Sequence, residues 1–128
     1  MSPADVIARY GAAAAAGDMT ELAAVLHEHA VWHQPGDNPL SGDHAGPDAI
    51  VAHLGRFMEL SGGTFRLETL SVEGAGALVA TTVRFSAARE GREDLDQGGV
   101  DVFRVEGDRI AEIWLISEDQ EAEDAFWK

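Results

Sequence analysis

Apolar residues recur at helical spacing through the first half of this chain and alternate with polar ones through the second. Val6, Ile7 and Tyr10 fall on one face of a first helix, followed by the small residues Ala13 and Ala14. Ser2, Pro3 and Asp5 supply its start: a hydroxyl N-cap, a proline at the first helical position and an acid in the first turn. Gly17 stops it. Asp18 with Glu21 opens a short second helix whose Leu22, Val25 and Leu26 turn inward. Ala30 to His33 reads as a strand, which breaks into a turn-rich loop from Pro35 to Gly46. Gly46-Pro47-Asp48 opens a third helix with Ile50, Val51, Leu54, Phe57 and Met58 at helical spacing, and Ser61-Gly62-Gly63 ends it.

Beyond Gly63 the period is two. Phe65, Leu67 and Thr69 alternate with Arg66 and Glu68, and Val79, Thr81, Val83 and Phe85 alternate with Ala80, Thr82 and Arg84. Val100 to Val105 and Ile110 to Ile116 are two further strands joined by the hairpin turn Glu106-Gly107-Asp108. Gly98-Gly99 within a strand suggests a bulge or a bend. The predicted order is helix, helix, strand, helix, then four antiparallel strands, an α+β arrangement with helices on one face of a sheet. Three helices cannot cover both faces of a curved sheet. The other face is therefore solvated or covered by a second subunit, with Trp114, Ile116 and Val102 as candidate interface residues. The tail from Glu118 holds five acids and reads as a solvated face whose apolar end, Phe126 and Trp127, docks on the body or on a partner.

A length of 128 residues fits a single domain, 1–128, and 45 % hydrophobic content supplies a core. The formal charge of -14 sets aside nucleic acid and anionic membrane surfaces as partners. With no cysteine, disulfides and thiolate chemistry are excluded. No apolar run approaches the ~20 residues that span a bilayer, and the opening residues carry acids where a signal peptide has a basic region. The expectation is a cytoplasmic protein.

Three residues carry candidate chemistry. Asp101 alternates in phase with Phe103 and Val105, on the apolar face of its strand. A carboxylate there either protonates or finds donors, so it is a pocket acid, a structural acid, or a residue turned outward by a bulge at Gly98-Gly99. His33 shares a face with Val31 at the end of the first strand, where a neutral imidazole suits a general base. Tyr10, the only tyrosine, lies on the apolar face of the first helix, where its phenol either donates to a developing oxyanion or is a satisfied core group. The histidines His27, His29, His33, His44 and His53 invite a metal reading, but HEH at 27–29 is not the HExxH of zinc enzymes and spans a helix end where the two side chains diverge, so no metal is expected. No phosphate loop or nucleophile elbow is present.

Three stretches, ARYGAAAAAGDMTEL, AVWHQPG with SGDHAGPDAIVAHL, and VDVFRVEGDRIAEIWLI, resemble the NTF2-like superfamily and in particular its SnoaL-like and ketosteroid-isomerase-like members. The resemblance implies a cone: three helices packed in a strongly curved, mostly antiparallel sheet, with a deep apolar pocket and a homodimer through the sheet's outer face. It places Tyr10 and Asp101 at the family's oxyanion-holding positions and His33 at the base position, where isomerases have a carboxylate. It implies a cofactor-independent isomerase, polyketide cyclase or epoxide-opening enzyme acting on a small apolar molecule. The pocket wall would be Leu26, Trp32, Leu54, Met58, Phe65, Val83, Phe85, Phe103 and Leu115. The alternative is a non-catalytic ligand-binding or dimerising member in which Asp101 and His33 are structural.

Overall fold

A computed structural model describes the whole chain, Met1–Lys128. Helix α1 spans Pro3–Ala16, α2 Met19–Val25 and α3 Pro47–Leu60; strand β1 spans Leu26–Gln34, β2 Gly42–Ala45, β3 Arg66–Ala75, β4 Leu78–Ala87, β5 Leu95–Glu106 and β6 Arg109–Ser117; helix α4, Gln120–Trp127, ends the chain. The strands form one six-stranded sheet in the order β2-β1-β6-β5-β4-β3. Only β1 and β6 run parallel, which closes a curled α+β arrangement around the helices and matches the expected cone.

Local chemistry accounts for the helix ends. The Asp5 amide donates to Ser2 Oγ (3.1 Å) and the Ser2 amide to Asp5 Oδ2 (3.0 Å), a reciprocal capping box. Asp18 accepts from the Glu21 amide and starts α2. That helix ends at Val25, so Leu26 opens β1 and pairs with Ile110 instead of closing a helix. The β-region backbone wins there because the extended run from Leu26 finds a partner strand in β6.

Two elements exceed the sequence reading. Gly42–Ala45, expected as loop, pairs with β1 as an edge strand, with His44 opposite Trp32 and Asp43 opposite His33. The acidic tail forms α4. Phe126 (4 % exposed) and Trp127 (1 %) enter a core cluster with Leu40, Phe57, Val83, Phe85, Ala87 and Leu95, so the tail's apolar end docks on its own chain. The expected bulge at Gly98-Gly99 is absent, since β4 and β5 stay in register through both residues. Gly99 has another role: a Cβ there would come within 2.7 Å of the Ile116 carbonyl oxygen and 3.2 Å of the Phe85 ring.

The Pro35–Gly46 loop is tied to α4. Asp124 Oδ1 accepts from the Asp37 amide (3.0 Å) and from Asn38 Nδ2 (2.7 Å). Gly36, at φ 92°, permits this approach, because a Cβ would meet Asp124 Oδ1 at 2.2 Å. A second core cluster holds Val6, Ile7, Val25, Leu26, Ala30, Trp32, Ile50, Val79, Phe103, Val105, Ile110 and Ile113. Tyr10 and Leu115 pack against that cluster, and Leu54 packs against both.

Candidate active site inside the sheet

The sheet register decides which side chains can meet. His33 lies opposite Trp114, and Trp114 opposite Val102. These three share a rung on the outer face. Asp101 is the residue next to Val102, so its side chain takes the inner face, with Thr81 opposite it on β4 and Leu115 on β6. On β1 the inner face belongs to Ala30, Trp32 and Gln34, all buried. Of the three residues expected to converge, Tyr10 and Asp101 face the interior and His33 does not.

Asp101 is 8 % exposed, and no protein group hydrogen-bonds its carboxyl; Thr81 Oγ1 reaches only its backbone oxygen, at 3.5 Å. Burial, then the charge of Glu123, raises its pKa to about 7. Tyr10 is partly buried, its ring edge-on to Phe103 with centroids 5.6 Å apart. Burial, then the Asp101 charge, holds its phenol well above the ordinary range. Burial thus works against ionisation of both groups, and each is a donor when protonated.

Sequence reasoning missed Glu123. The acidic tail reads as a solvated face, yet Glu123 is 4 % exposed and accepts from Ser117 Oγ (3.2 Å) and Gln120 Nε2 (3.1 Å). Burial raises its pKa, the two hydrogen bonds oppose the rise, and Asp124 adds to it. The available signal was the pair Phe126-Trp127, whose docking draws the helix face three residues earlier inward.

His53 was also missed. It sits with Ile50 and Phe57 on the buried face of α3, while Met58, expected in the pocket wall, is 41 % exposed; one position around the helix separates the two outcomes. The indole of Trp32 donates to Gln34 Oε1 (2.9 Å), and His53 Nε2 lies 3.0 Å from the same oxygen. An oxygen accepts from both, so Nε2 carries the proton and Nδ1 is the bare nitrogen, buried and without a partner. Burial, then His44 and Arg56, lowers the His53 pKa to about 3, which keeps the ring neutral. His44 stacks on it at 3.8 Å between centroids.

The remaining wall residues divide between the clusters. Leu26, Trp32 and Phe103 belong to the one around α1, with Leu115 packed against it; Val83 and Phe85 belong to the one around α4, with Phe65 against it. An open cleft of about 670 Å³ between the start of β5 and α4 is lined by charged residues including Arg92, Glu93, Asp94 and Asp119 together with Leu95, Gln97 and Phe126, and does not include Asp101.

On the outer face, His33 Nδ1 lies 2.8 Å from Asp43 Oδ1 and Nε2 lies 2.6 Å from Glu112 Oε2, and the ring stacks on Trp114 at 5.7 Å. Burial pulls its pKa down, but the bonds to Glu112 and Asp43 outweigh burial and leave it raised. Arg104 holds the other Glu112 oxygen at 3.3 Å. Both ring nitrogens of His33 are committed to carboxylates of its own sheet.

Comparison with known proteins agrees with this geometry. Residues 7–113 match the family model described as the SnoaL-like domain. An uncharacterized protein of Mycobacterium tuberculosis is 32 % identical over 125 residues, covering 96 % of this chain and 94 % of that one. A Xanthomonas campestris protein of unknown function with a cystatin-like fold superposes with TM-score 0.91 at 38 % identity, covering 99 % and 98 % of the two chains. Bal32a, from a soil-derived mobile gene cassette, gives TM-score 0.92 at 35 % identity over 98 % and 96 %. With residues 7–113 matching the SnoaL-like domain model, the chain belongs to the SnoaL-like family.

Proposed function

We propose that this protein is a cofactor-independent enzyme that performs general acid/base chemistry on a small apolar molecule, as an isomerase, cyclase or epoxide-opening enzyme. The observation that carries the reading is the Asp101 carboxyl, more than nine-tenths buried, without a hydrogen-bond partner and with a pKa raised to about 7. Leaving such a group unpaired costs about 1–3 kcal/mol, which a ligand oxygen accepting its proton would recover. Asp101 and Tyr10 are the donors to negative charge developing on that oxygen. Phe103, two residues along the same strand face, and Leu115, opposite on β6, are the apolar neighbours of Asp101. His33, expected as the base, here braces the outer face.

The test is binding of 4-nitrophenol, whose absorbance reports its ionisation. Wild type should hold it as phenolate below its solution pKa. Asp101→Asn and Tyr10→Phe should each weaken the bound phenolate by about tenfold or more, as expected for loss of one oxyanion donor. Equal binding by all three proteins would remove the reading.

The outer face supports the companion proposal of a homodimer. Ile116 is 61 % exposed beside Trp114, on a face that no helix covers. Ile116→Lys should convert a dimer to a monomer in analytical ultracentrifugation. A wild-type monomer would count against it.

A further inference from the structure

We propose that His53 Nδ1 is a hydrogen-bond acceptor for the ligand, and that the ligand is a neutral apolar molecule carrying a hydroxyl group, of the phenol or alcohol class. This deepens the reading of Asp101 as a donor by adding an acceptor and a substrate class.

Trp32 and Gln34 stand two residues apart on the inner face of β1, and together they orient His53. An indole can only donate, so its 2.9 Å contact fixes which end of the Gln34 amide is the oxygen. His53 Nε2, 3.0 Å from that oxygen, must then donate, and the lone pair of the ring is left on Nδ1. The ring is 1 % exposed, and no protein group meets that nitrogen. Its neighbours have no donor to spare. Phe57, edge-on with centroids 4.9 Å apart, has no polar atom. The Trp32 N–H is spent on Gln34. His44, stacked at 3.8 Å, lies with Nε2 3.1 Å from the Leu40 backbone oxygen and donates to it. Arg56 Nη1 donates to the Pro39 carbonyl at the surface. A buried acceptor left unmade is costly, and this one stays unmade until a donor is brought to it. The depressed pKa of His53 keeps the lone pair available at neutral pH.

The sheet register sets this acceptor over the same rung as Asp101. His33 lies opposite Trp114, so Gln34, the next residue of β1, runs beside Leu115, the next residue of the parallel strand β6. Leu115 lies opposite Asp101 on β5. Gln34, Leu115 and Asp101 therefore follow one another across the inner face, with about 10 Å, two strand spacings, from the first backbone to the last. One end of that rung presents an acid that donates. The other presents an imidazole, held on Gln34, that accepts. A ketone or ether oxygen answers only the first, because it has no hydrogen to give. A hydroxyl answers the second. The aromatic rings of Trp32 and Phe57 around His53 suit a flat apolar body behind that hydroxyl. The selection makes and breaks no covalent bond.

The experiment compares phenol with anisole, in which a methyl group replaces the hydrogen that phenol donates. Binding of each to the full chain is measured by calorimetry, as wild type and as His53→Phe. Wild type should hold phenol about tenfold or more tightly than anisole. His53→Phe keeps an aromatic ring in place and should erase the preference. Equal affinities in wild type, or an undiminished preference in His53→Phe, overturn the proposal. Should His53→Phe fold poorly, the ¹⁵N resonance of His53 Nδ1 in wild type decides. Phenol should move it from the position of a bare imidazole nitrogen towards that of a hydrogen-bonded one, and anisole should leave it in place. A resonance already at the hydrogen-bonded position in the free protein, as a trapped water would give, and unmoved by phenol overturns the proposal. Asp101→Asn separates this assignment from the reading it deepens. Weakened 4-nitrophenolate binding in that variant, with no preference for phenol in wild type, overturns the His53 assignment alone. Undiminished phenolate binding in Asp101→Asn, with the preference intact, removes the Asp101 reading and leaves His53 standing.

Discussion

His33 and Asp101 sit on one sheet, within a rung of each other, and both have raised pKa values, but for opposite physical reasons. Two carboxylates of its own sheet favour the charged form of His33 after burial has pulled the other way. Asp101 is pushed towards its neutral form because burial, then a neighbouring negative charge, opposes its ionisation, and no hydrogen bond to its carboxyl offsets them. The outer cluster is closed, with each polar atom of the ring spoken for. The inner group is open. A satisfied ion cluster on a sheet surface stabilises or aligns strands. An unsatisfied buried acid is a cost that persists where a ligand answers it.

The largest expected effect opens the inner region at its end. Trp127→Ala should destabilise the protein by about 3–5 kcal/mol in denaturant titration, as for other buried tryptophans. It should also bring the Asp101 midpoint down as water reaches the interior. Loss of stability with no change at Asp101 would separate α4 from the site.

Asp101→Asn should act in the other direction. The folded pKa of Asp101 lies above its unfolded value, so its contribution is fully present below about pH 4 and is lost as pH rises through about 7. Removing the ionisable group should raise stability above about pH 8 by as much as ~4 kcal/mol and change little below about pH 4. Equal melting curves at both pH values would show that Asp101 is not held neutral. His53 works on the acid side. Its folded pKa is depressed to about 3, so its contribution is intact above the unfolded value of ~6.5 and declines as pH falls towards 3. Thermal stability of the wild type should peak between these two limits.

Gln34→Ala is expected to cost about 1–3 kcal/mol, because it leaves the Trp32 indole and His53 Nε2 without their shared acceptor. The smallest effect belongs outside. His33→Ala should cost about 1 kcal/mol or less, with phenolate binding unchanged, since the residue belongs to a partly exposed ion cluster. The His33 contribution is present below the unfolded pKa and lost as pH rises through the folded one, so even this small cost should vanish in alkali. A large loss of phenolate binding in His33→Ala would erase the contrast between the two faces.

Most of the fold was legible because period and caps agree. The capped α1, the Asp18 start of α2, the opening of α3 and the hairpin between β5 and β6 fall where the residues put them. Asp101 was legible from its phase with Phe103 and Val105, and the unbroken register through Gly98 and Gly99 removes the outward alternative. His33 was not, because β1 alternates ambiguously. Val31 with His33, and Ala30, Trp32 and Gln34, are both plausible inner sets, and a one-residue choice reverses every side chain. Tertiary pairing with β6 settles it. Short β2 and acidic α4 lack strong periodic signals of their own, because β2 is fixed by the β1 edge and α4 by the docking of two aromatic residues.

The central claim is that Asp101 stands protonated and unpaired inside the sheet. Its titration in the wild-type protein, followed through the ¹³C resonance of its carboxyl, tests that most directly. A midpoint near 7 is the predicted result. A midpoint in the ordinary carboxylate range of ~4 would contradict it.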